Sequence, residues 1–131
     1  MKSVDQVLEA AAKIVADFAR HDAESYFSNF AESATFVFYT HDRRLNSRSE
    51  YQELWKTWEE RDGFRVHGCK STDQLVQLIS EDGAIFSHSV ETQLEFAGDT
   101  TVVNERETIV FELLQGKWVA VHEHLSPVSP S

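Results

Sequence analysis

The segment Arg106–Ser126, RETIVFELLQGKWVAVHEHLS, sets the expected fold because it predicts two long strands joined at Gln115-Gly116. A two-residue loop at that point would need positive φ at both residues, which glutamine adopts poorly. We therefore expect the three-residue loop Leu114–Gly116, with only the glycine at positive φ. In that register Leu113 faces Lys117.

This register places two acidic residues opposite each other, Glu107 on one strand and Glu123 on the next. Their face of the hairpin is otherwise apolar, with Ile109, Val121 and Leu125, so we expect it to face the interior. Two neighbouring carboxylates with little water between them cannot both ionise easily, which raises one pKa toward the range of a general acid or base. Glu107 and Glu123 are therefore the candidate catalytic residues, unless they lie at a solvated rim or an adjacent basic group neutralises them.

The other face of the hairpin carries Trp118, His122 and His124. We expect this outward face to form a dimer contact. Histidines two apart on a strand point the same way and could share a metal ion with His67 or His88, but a catalytic zinc site typically needs three protein ligands. We therefore predict no metal site and no cofactor.

The N-terminal half predicts helices, because apolar residues recur every three or four positions. A first helix is expected over residues 3–20, and a short second helix follows a cap at Asp22. A strand is expected over Ala34–Thr40. A third helix begins with a cap at Ser49 and ends before Gly63, which suits a left-handed C-terminal cap.

From residue 64 onward the helical period disappears and turn signals separate long strands. The expected strands cover residues 64–72, 74–81, 84–96, 100–114 and 117–126. Helices followed by hairpin-linked strands indicate an α+β fold with a mostly antiparallel sheet. Such long strands twist and bend, so we expect the sheet to curve around three helices as a cone-shaped barrel with a hollow at one end. A single domain should cover residues 1–126, with a flexible tail at 127–131.

An aromatic wall is expected around this hollow. Its candidates are Tyr39, Tyr51 and Trp55, although such side chains are more often core than ligand contacts. Glu91 is undecided between two environments. Alternation along residues 84–96 sends it to solvent, whereas a bulge in so long a strand would turn it inward.

The composition favours a soluble, cytoplasmic protein. The chain has 131 residues, a formal net charge of −10 and a single cysteine, Cys69, so no intrachain disulfide is expected. No apolar run approaches the roughly 20 residues of a membrane span, and the N-terminus does not resemble a signal peptide. The acidic surface should repel nucleic acid and anionic lipid. The chain contains no nucleotide-binding glycine motif.

Two parts of the sequence resemble a known family. The segments Arg106–Phe111 and Gly116–Ser126, with a tryptophan followed by His-x-His-x-Ser, resemble the SnoaL-like branch of the nuclear transport factor 2-like superfamily. Ala34–Tyr39 followed by Arg48–Trp58 is similar to small bacterial members without an assigned activity. The superfamily includes ketosteroid isomerase, scytalone dehydratase and the association domain of calcium/calmodulin-dependent kinase II. The resemblance implies a cystatin-like cone, a pocket between helices and sheet, and a homodimer through the outer sheet face.

The resemblance transfers no catalytic set to this chain. Where the kinase association domain has arginines, the pocket here should hold Glu91, Ile109 and Leu125, so we expect a small apolar ligand that is neutral or cationic. Two functions remain open. One is a cofactor-independent isomerase, lyase or cyclase with Glu107 or Glu123 as the base, and the other is a non-catalytic ligand-binding or dimerisation module.

Overall fold

The fold consists of three helices and five strands. A computed structural model describes residues 2–128. The elements in chain order are α1 (Lys2–Ala19), α2 (Ala23–Phe27), β1 (Phe30–Phe38), α3 (Arg48–Asp62), β2 (Arg65–Leu78), β3 (Gly83–Phe96), β4 (Asp99–Leu114) and β5 (Lys117–Pro127).

The five strands form one curved sheet in the order β1-β5-β4-β3-β2. β1 runs parallel to β5, and the other neighbours are antiparallel. The predicted α+β fold with a mostly antiparallel, curved sheet is therefore confirmed. Within residues 2–128 the sheet stays open, with β1 and β2 as its edges, so the cone is not a closed barrel.

The helix ends follow ordinary capping chemistry. Asp22 caps α2, and Gly63 ends α3 in the left-handed conformation with φ of 62°, as the sequence predicts. The predicted cap of α3 is wrong by two residues. Ser47, not Ser49, caps the helix, because its side chain accepts the backbone N–H of Glu50 at 3.2 Å.

Two segments predicted as separate strands, 64–72 and 74–81, form the single strand β2. Asp73 interrupts it locally with a φ of 52°, and the pairing with β3 shifts between Thr72 and Leu75. A bulge therefore absorbs the polar residues that we interpreted as a turn, and it adds to the curvature of the sheet.

The last strand extends one residue beyond its predicted end at 126, and the domain boundary stays a prediction. Pro127 is the last residue of β5, and the backbone N–H of Val128 donates to the carbonyl of Asn104 at 3.1 Å. The part of the predicted flexible tail at 129–131 lies outside the described residues.

The closing hairpin between β4 and β5 is tighter than predicted. Gln115 and Gly116 form a two-residue loop with φ of 51° and 78°, so the glutamine adopts the left-handed conformation that we expected it to avoid. Lys117 consequently pairs with Leu114 instead of Leu113. The predicted register is wrong from its first pair.

A β-bulge at Val121 then changes which side chains of β5 face inward. The register shifts between Val110 and Phe111, which leaves Val121 without a partner on β4. The inward face of β5 changes from even to odd residue numbers at this point, since the side-chain period of a strand is two. Trp118 lies inward before the bulge, and Glu123 lies inward after it.

Trp118 is therefore not part of an outward dimer face, contrary to prediction. It is 7% exposed, and its Nε1–H donates to Gln6 Oε1 on α1 at 3.3 Å. His122 and His124 lie on the outer face, where His122 Nδ1 is 2.7 Å from Thr35 Oγ1. The homodimer stays a prediction, and its expected face loses the tryptophan.

Helix α1 lies across the concave face of the sheet and contacts β2, β3 and β5. The buried apolar residues of this helix are Val7, Ala11 and Ile14, which repeat at the helical period. Among the described residues, no helix combines the length and the apolar content needed to cross a membrane. The helix thus closes one side of the cone and leaves a space beneath its C-terminal half.

Candidate active site

A cavity of about 370 Å³ lies between the concave face of the sheet and the helices. Its closed end is marked by Tyr26 and Glu123, each 3% exposed, and its open end by Tyr39 and Phe96, which are 45% and 37% exposed. The lining residues are mostly apolar or aromatic: Ile14, Val15, Phe18, Tyr26, Phe38, Tyr39, Thr40, Tyr51, Trp58, Asp62, Phe64, Cys69, Val90, Thr92, Leu94, Phe96, Thr101, Val103, Glu105, Glu107, Glu123 and Leu125.

The charged groups of this lining all carry the same sign. Among the described residues that border the cavity, four are acidic, Asp62, Glu105, Glu107 and Glu123, and none is a lysine, arginine or histidine. An anionic ligand would therefore meet repulsion inside a space of low polarity.

Glu107 and Glu123 lie together at the closed end of the cavity, but they are not directly opposite each other. Glu123 pairs with Ile109, and Glu107 pairs with Leu125, so the two carboxyls are diagonal neighbours. Side chains in this relation still reach each other across adjacent strands. A hydrogen bond joins the two carboxyl groups.

The two carboxyls have opposite pKa shifts. Burial raises the pKa of Glu123 well above its usual value, and the charge of Glu107 raises it further. Burial also acts to raise the pKa of Glu107, but hydrogen bonds from Glu123 and His88 outweigh it and hold that pKa below its usual value. Of the two carboxyls, Glu123 is therefore the one that favours the protonated form, and it donates to Glu107.

One oxygen of this pair has no partner. Glu123 Oε1 is buried and makes no hydrogen bond to any residue in the range 2–128. The side chain of Glu123 borders the cavity.

His88 supports the pair from behind. It lies directly opposite Glu107 on β3, and its Nε2 is 2.7 Å from Glu107 Oε1. Its side chain is 0% exposed. Ser71 Oγ lies 2.6 Å from the other ring nitrogen, Nδ1. This arrangement orients the imidazole and supplies Glu107 with a strong hydrogen bond.

Two tyrosines complete the closed end. The hydroxyls of Tyr26 and Tyr51 are 3.0 Å apart and hydrogen-bonded. Burial raises the pKa of each well above its usual value, and the charge of Glu123 acts in the same direction. Both phenols therefore stay protonated, and the one that accepts in the mutual bond keeps a proton to donate elsewhere.

The open end has its own acidic contact. The hydroxyl of Tyr39 donates to Glu105 Oε2 at 2.5 Å. Burial, followed by this bond, raises the pKa of Tyr39 to about 12. Burial also raises the pKa of Glu105, although the tyrosine partly offsets the effect. Burial raises the pKa of Cys69 to about 11, so this thiol is no nucleophile at neutral pH.

The predicted wall residues separate into lining and core. Tyr39, Tyr51 and Leu125 line the cavity. Trp55 and Ile109, which are 2% and 0% exposed, belong to the core behind the lining instead. Trp55 packs against Phe64, Tyr26 and other rings, with the centroid of Phe64 at 5.0 Å. Trp58, one helical turn further on, takes the place on the cavity wall.

Two further predicted lining residues lie outside the cavity. Val121 is the bulge residue of β5, and the bulge turns it to the outer face. Glu91 is exposed, because β3 keeps an unbroken alternation in which Val90 and Thr92 face inward. This position follows simple alternation with no bulge, so the prediction of Glu91 as a pocket residue is wrong.

Three polar residues of the site were not predicted to lie there: Tyr26, Glu105 and His88, which was considered only as a possible metal ligand. Glu105 lies two residues before Glu107 and so shares its face, a signal that the period of two already contains. His88 could have been found from the β3–β4 turn. That turn is Ala97-Gly98, with φ of 52° and 83°, and the register continued from it pairs His88 with Glu107.

The alternative of a shared metal does not form among residues 2–128, in which no three His, Cys, Asp or Glu residues come together in a group that could hold an ion. His88 faces inward, whereas His122 and His124 lie outward with ring centroids 6.4 Å apart. His67 instead approaches Glu95, with Nε2 2.7 Å from the carboxylate.

Known proteins show where this architecture has been seen before. The sequence model of the SnoaL-like domain matches residues 7–130. No curated protein matches the chain. It is similar in structure to a ketosteroid isomerase-like protein from Erwinia carotovora atroseptica, at 18% identity over 96% of both chains with a TM-score of 0.80. An NTF2-like protein from Cytophaga hutchinsonii is 16% identical over 98% of this chain and 100% of the other, with a TM-score of 0.81. A protein with a cystatin-like fold from Nostoc punctiforme is 16% identical over 96% and 90%, with a TM-score of 0.71. At these identities the likenesses show the fold.

Proposed function

The chain belongs to the SnoaL-like domain family, and we infer its function from the site that it forms within this fold. We propose that it is a cofactor-independent enzyme that moves a proton on a small, mostly apolar molecule, as an isomerase, lyase or cyclase. The observation that carries the proposal is Glu123 Oε1, a buried acceptor at the cavity without a partner in residues 2–128. An unpaired buried oxygen costs about 1–3 kcal/mol, which a ligand's donor group would recover.

The carboxyl pair suits a base that already holds one proton. Oε1 of Glu123 accepts the proton from the substrate, and the proton that Glu123 already held passes fully to Glu107. After the step both carboxyls are neutral, and the substrate carries the negative charge. The hydrogen bond from His88 to Glu107 keeps the starting anion ionised at the operating pH.

The tyrosine pair suits the stabilisation of that charge. If the proton leaves a carbon next to a carbonyl, the charge develops on the carbonyl oxygen as an enolate. The hydroxyl proton that the Tyr26–Tyr51 pair does not use in its mutual bond lies near Glu123 at the closed end of the cavity and would turn to the enolate oxygen. A donor held in place in a water-poor site is a major source of rate enhancement.

The charge of the lining supports a neutral or cationic ligand. Four acidic and no basic side chains border the cavity among the described residues, and aromatic rings form much of its wall. Such rings bind apolar molecules and attract cations through their faces.

A substrate-independent test uses 5-nitrobenzisoxazole, a neutral aromatic compound whose ring opens to a coloured phenolate when a base removes its C–H proton. We expect the protein to accelerate this reaction. Glu123→Gln and Glu107→Gln should lower kcat/KM by about 10²–10⁴-fold, since a positioned general base contributes about that much. Glu91→Gln, an exposed carboxylate on the outer face of β3, is the matched control and should retain the rate. Circular dichroism establishes that each variant is folded.

Full acceleration in both cavity variants would overturn the proposal.

The apolar lining favours a second candidate, a module that binds a ligand without chemistry, because burial of apolar surface alone gives affinity. A wild-type protein that retains a small molecule in native mass spectrometry but does not accelerate the probe reaction would support that candidate instead.

A further inference from the structure

We propose that Ser71 and His88 conduct protons between the Glu107–Glu123 pair and the solvent at the exposed edge of β2. The inference rests on the proposed function, because it gives the carboxyl pair a route for exchanging the proton that it takes up. Neither Ser71 nor His88 lines the cavity, so neither contacts a ligand there. Both are positioning residues that act through Glu107.

The path is continuous at hydrogen-bonding distance. From the outside inward, Gln74 Nε2 lies 2.9 Å from Ser71 Oγ, and Ser71 Oγ lies 2.6 Å from His88 Nδ1. His88 Nε2 then lies 2.7 Å from Glu107 Oε1. Gln74 is exposed and Ser71 is half-buried on the edge strand, whereas the His88 side chain is 0% exposed. The four residues thus lead from solvent to the buried pair across three adjacent strands.

The proposed path takes the bond directions in which Ser71 donates to His88 and His88 donates to Glu107. The amide nitrogen of Gln74 donates to Ser71 Oγ, which leaves the Ser71 hydroxyl proton for His88 Nδ1. His88 therefore carries its own proton on Nε2 and donates it to Glu107. Every bond in the path points its proton inward, which is the arrangement needed to deliver a proton to the carboxyl pair.

A concerted shift moves one proton without moving any heavy atom. His88 gives its Nε2 proton to Glu107, takes the Ser71 proton at Nδ1, and Ser71 takes a proton from a water molecule or a buffer acid at the surface. The imidazole ends in its other neutral tautomer, and the reverse shift restores the starting state while releasing a proton outward. The open end of the cavity can stay occupied by a ligand throughout.

The test measures the rate of exchange between the two neutral tautomers of His88, by ¹⁵N relaxation dispersion in protein labelled with ¹⁵N histidine, and needs no substrate. Two-bond couplings should show that His88 is the neutral tautomer with Nε2 protonated. Ser71→Ala should slow the exchange by about tenfold or more, because exchange must then wait for local opening of the edge strand. Ser71→Thr, which keeps a hydroxyl, should restore the rate. Thr72→Ala, at the exposed neighbouring position on β2, should leave it unchanged.

The sign of the effect separates a proton path from a structural role. If Ser71 merely held the strand in place, Ser71→Ala would loosen β2 and accelerate the exchange. An unchanged or faster rate, or a His88 protonated on Nδ1, would overturn the inference. Because the ring opening of 5-nitrobenzisoxazole is measured separately, base catalysis can survive the loss of this path, and the path can be present without catalysis.

Discussion

Glu123 has the environment that most strongly determines the chemistry of the site. Its side chain is 3% exposed and close to the anionic Glu107, so folding favours its protonated form. A carboxyl whose pKa rises on folding contributes full stability below its unfolded pKa. That contribution is lost as the pH rises toward the folded pKa, because the unfolded chain ionises there and the folded chain does not.

Glu123→Gln should therefore remove a pH-dependent cost to stability. The amide keeps the shape of the protonated acid and cannot ionise. We expect the variant to be more stable than the wild type near pH 8, with the difference shrinking as the pH falls toward about 4.5. Urea unfolding between about pH 5 and pH 8 measures the free energy of unfolding. Glu91→Gln, on the exposed face, should show no such trend. A variant that is less stable at every pH would contradict this prediction.

Part of the site could be predicted from the sequence, because the alternation of side chains along a strand shows which residues share a face even when the pairing of the strands is unknown. Glu107 and Glu123 both face inward, although the register that suggested them is wrong. The two-residue loop shifts β5 by one residue relative to the predicted register, and the bulge at Val121 shifts it by one more in the same direction. The total shift of two residues returns Glu123 to the face that was predicted for it. Trp118 and Val121 come before this second shift is complete, so each lies on the face opposite to the predicted one.

The closing hairpin depends on the two-residue turn Gln115-Gly116, in which glutamine is an unusual residue. Both loop residues have positive φ, and the pairing of Leu114 with Lys117 fixes the register of the two strands that carry the carboxyls. Turns of this kind match the twist of the strands but favour Asn-Gly. Turn preferences alone predicted the longer loop. The pairing that aligns β4 with β5 overrides those preferences, and it cannot be recognised from the turn residues themselves.

Gln115→Asn should stabilise the protein, because asparagine adopts the left-handed conformation more readily than glutamine. We expect a gain of about 1 kcal/mol or less, since left-handed backbone costs an ordinary residue about 1–2 kcal/mol. Thermal and urea unfolding measure the gain. Gln77→Asn, on the extended strand β2, is the matched control and should lose stability, because asparagine is disfavoured in strands. Equal stability of wild type and Gln115→Asn would show that the turn carries no strain.

The shape of the cavity and the charge of the protein act together on the ligand. The sheet curves around the helices so that its concave face, with Glu105, Glu107 and Glu123, borders one cavity. The formal net charge of −10 gives the surroundings the same sign as that cavity. Long-range attraction therefore favours the approach of cations, and the acidic lining disfavours anions after entry.

A series of four ligands of equal length tests this selection: 3-phenylpropan-1-amine, 3-phenylpropan-1-ol, 3-phenylpropanoate and butylbenzene. The ammonium can donate to Glu123 Oε1 and is attracted by Glu107, the alcohol can donate without charge, and the carboxylate is repelled by the anionic Glu107. A repulsion of about 4 kcal/mol between unit charges 4 Å apart in such surroundings would exclude the anion. We expect the amine to bind about tenfold more tightly than the alcohol in calorimetry, an advantage of about 1.4 kcal/mol. In Glu107→Gln the amine should lose this advantage, whereas Glu91→Gln should preserve it. A carboxylate that binds as tightly as the alcohol would contradict the expected order of affinities. It would mean that a group outside the cavity neutralises the negative charge of the buried pair.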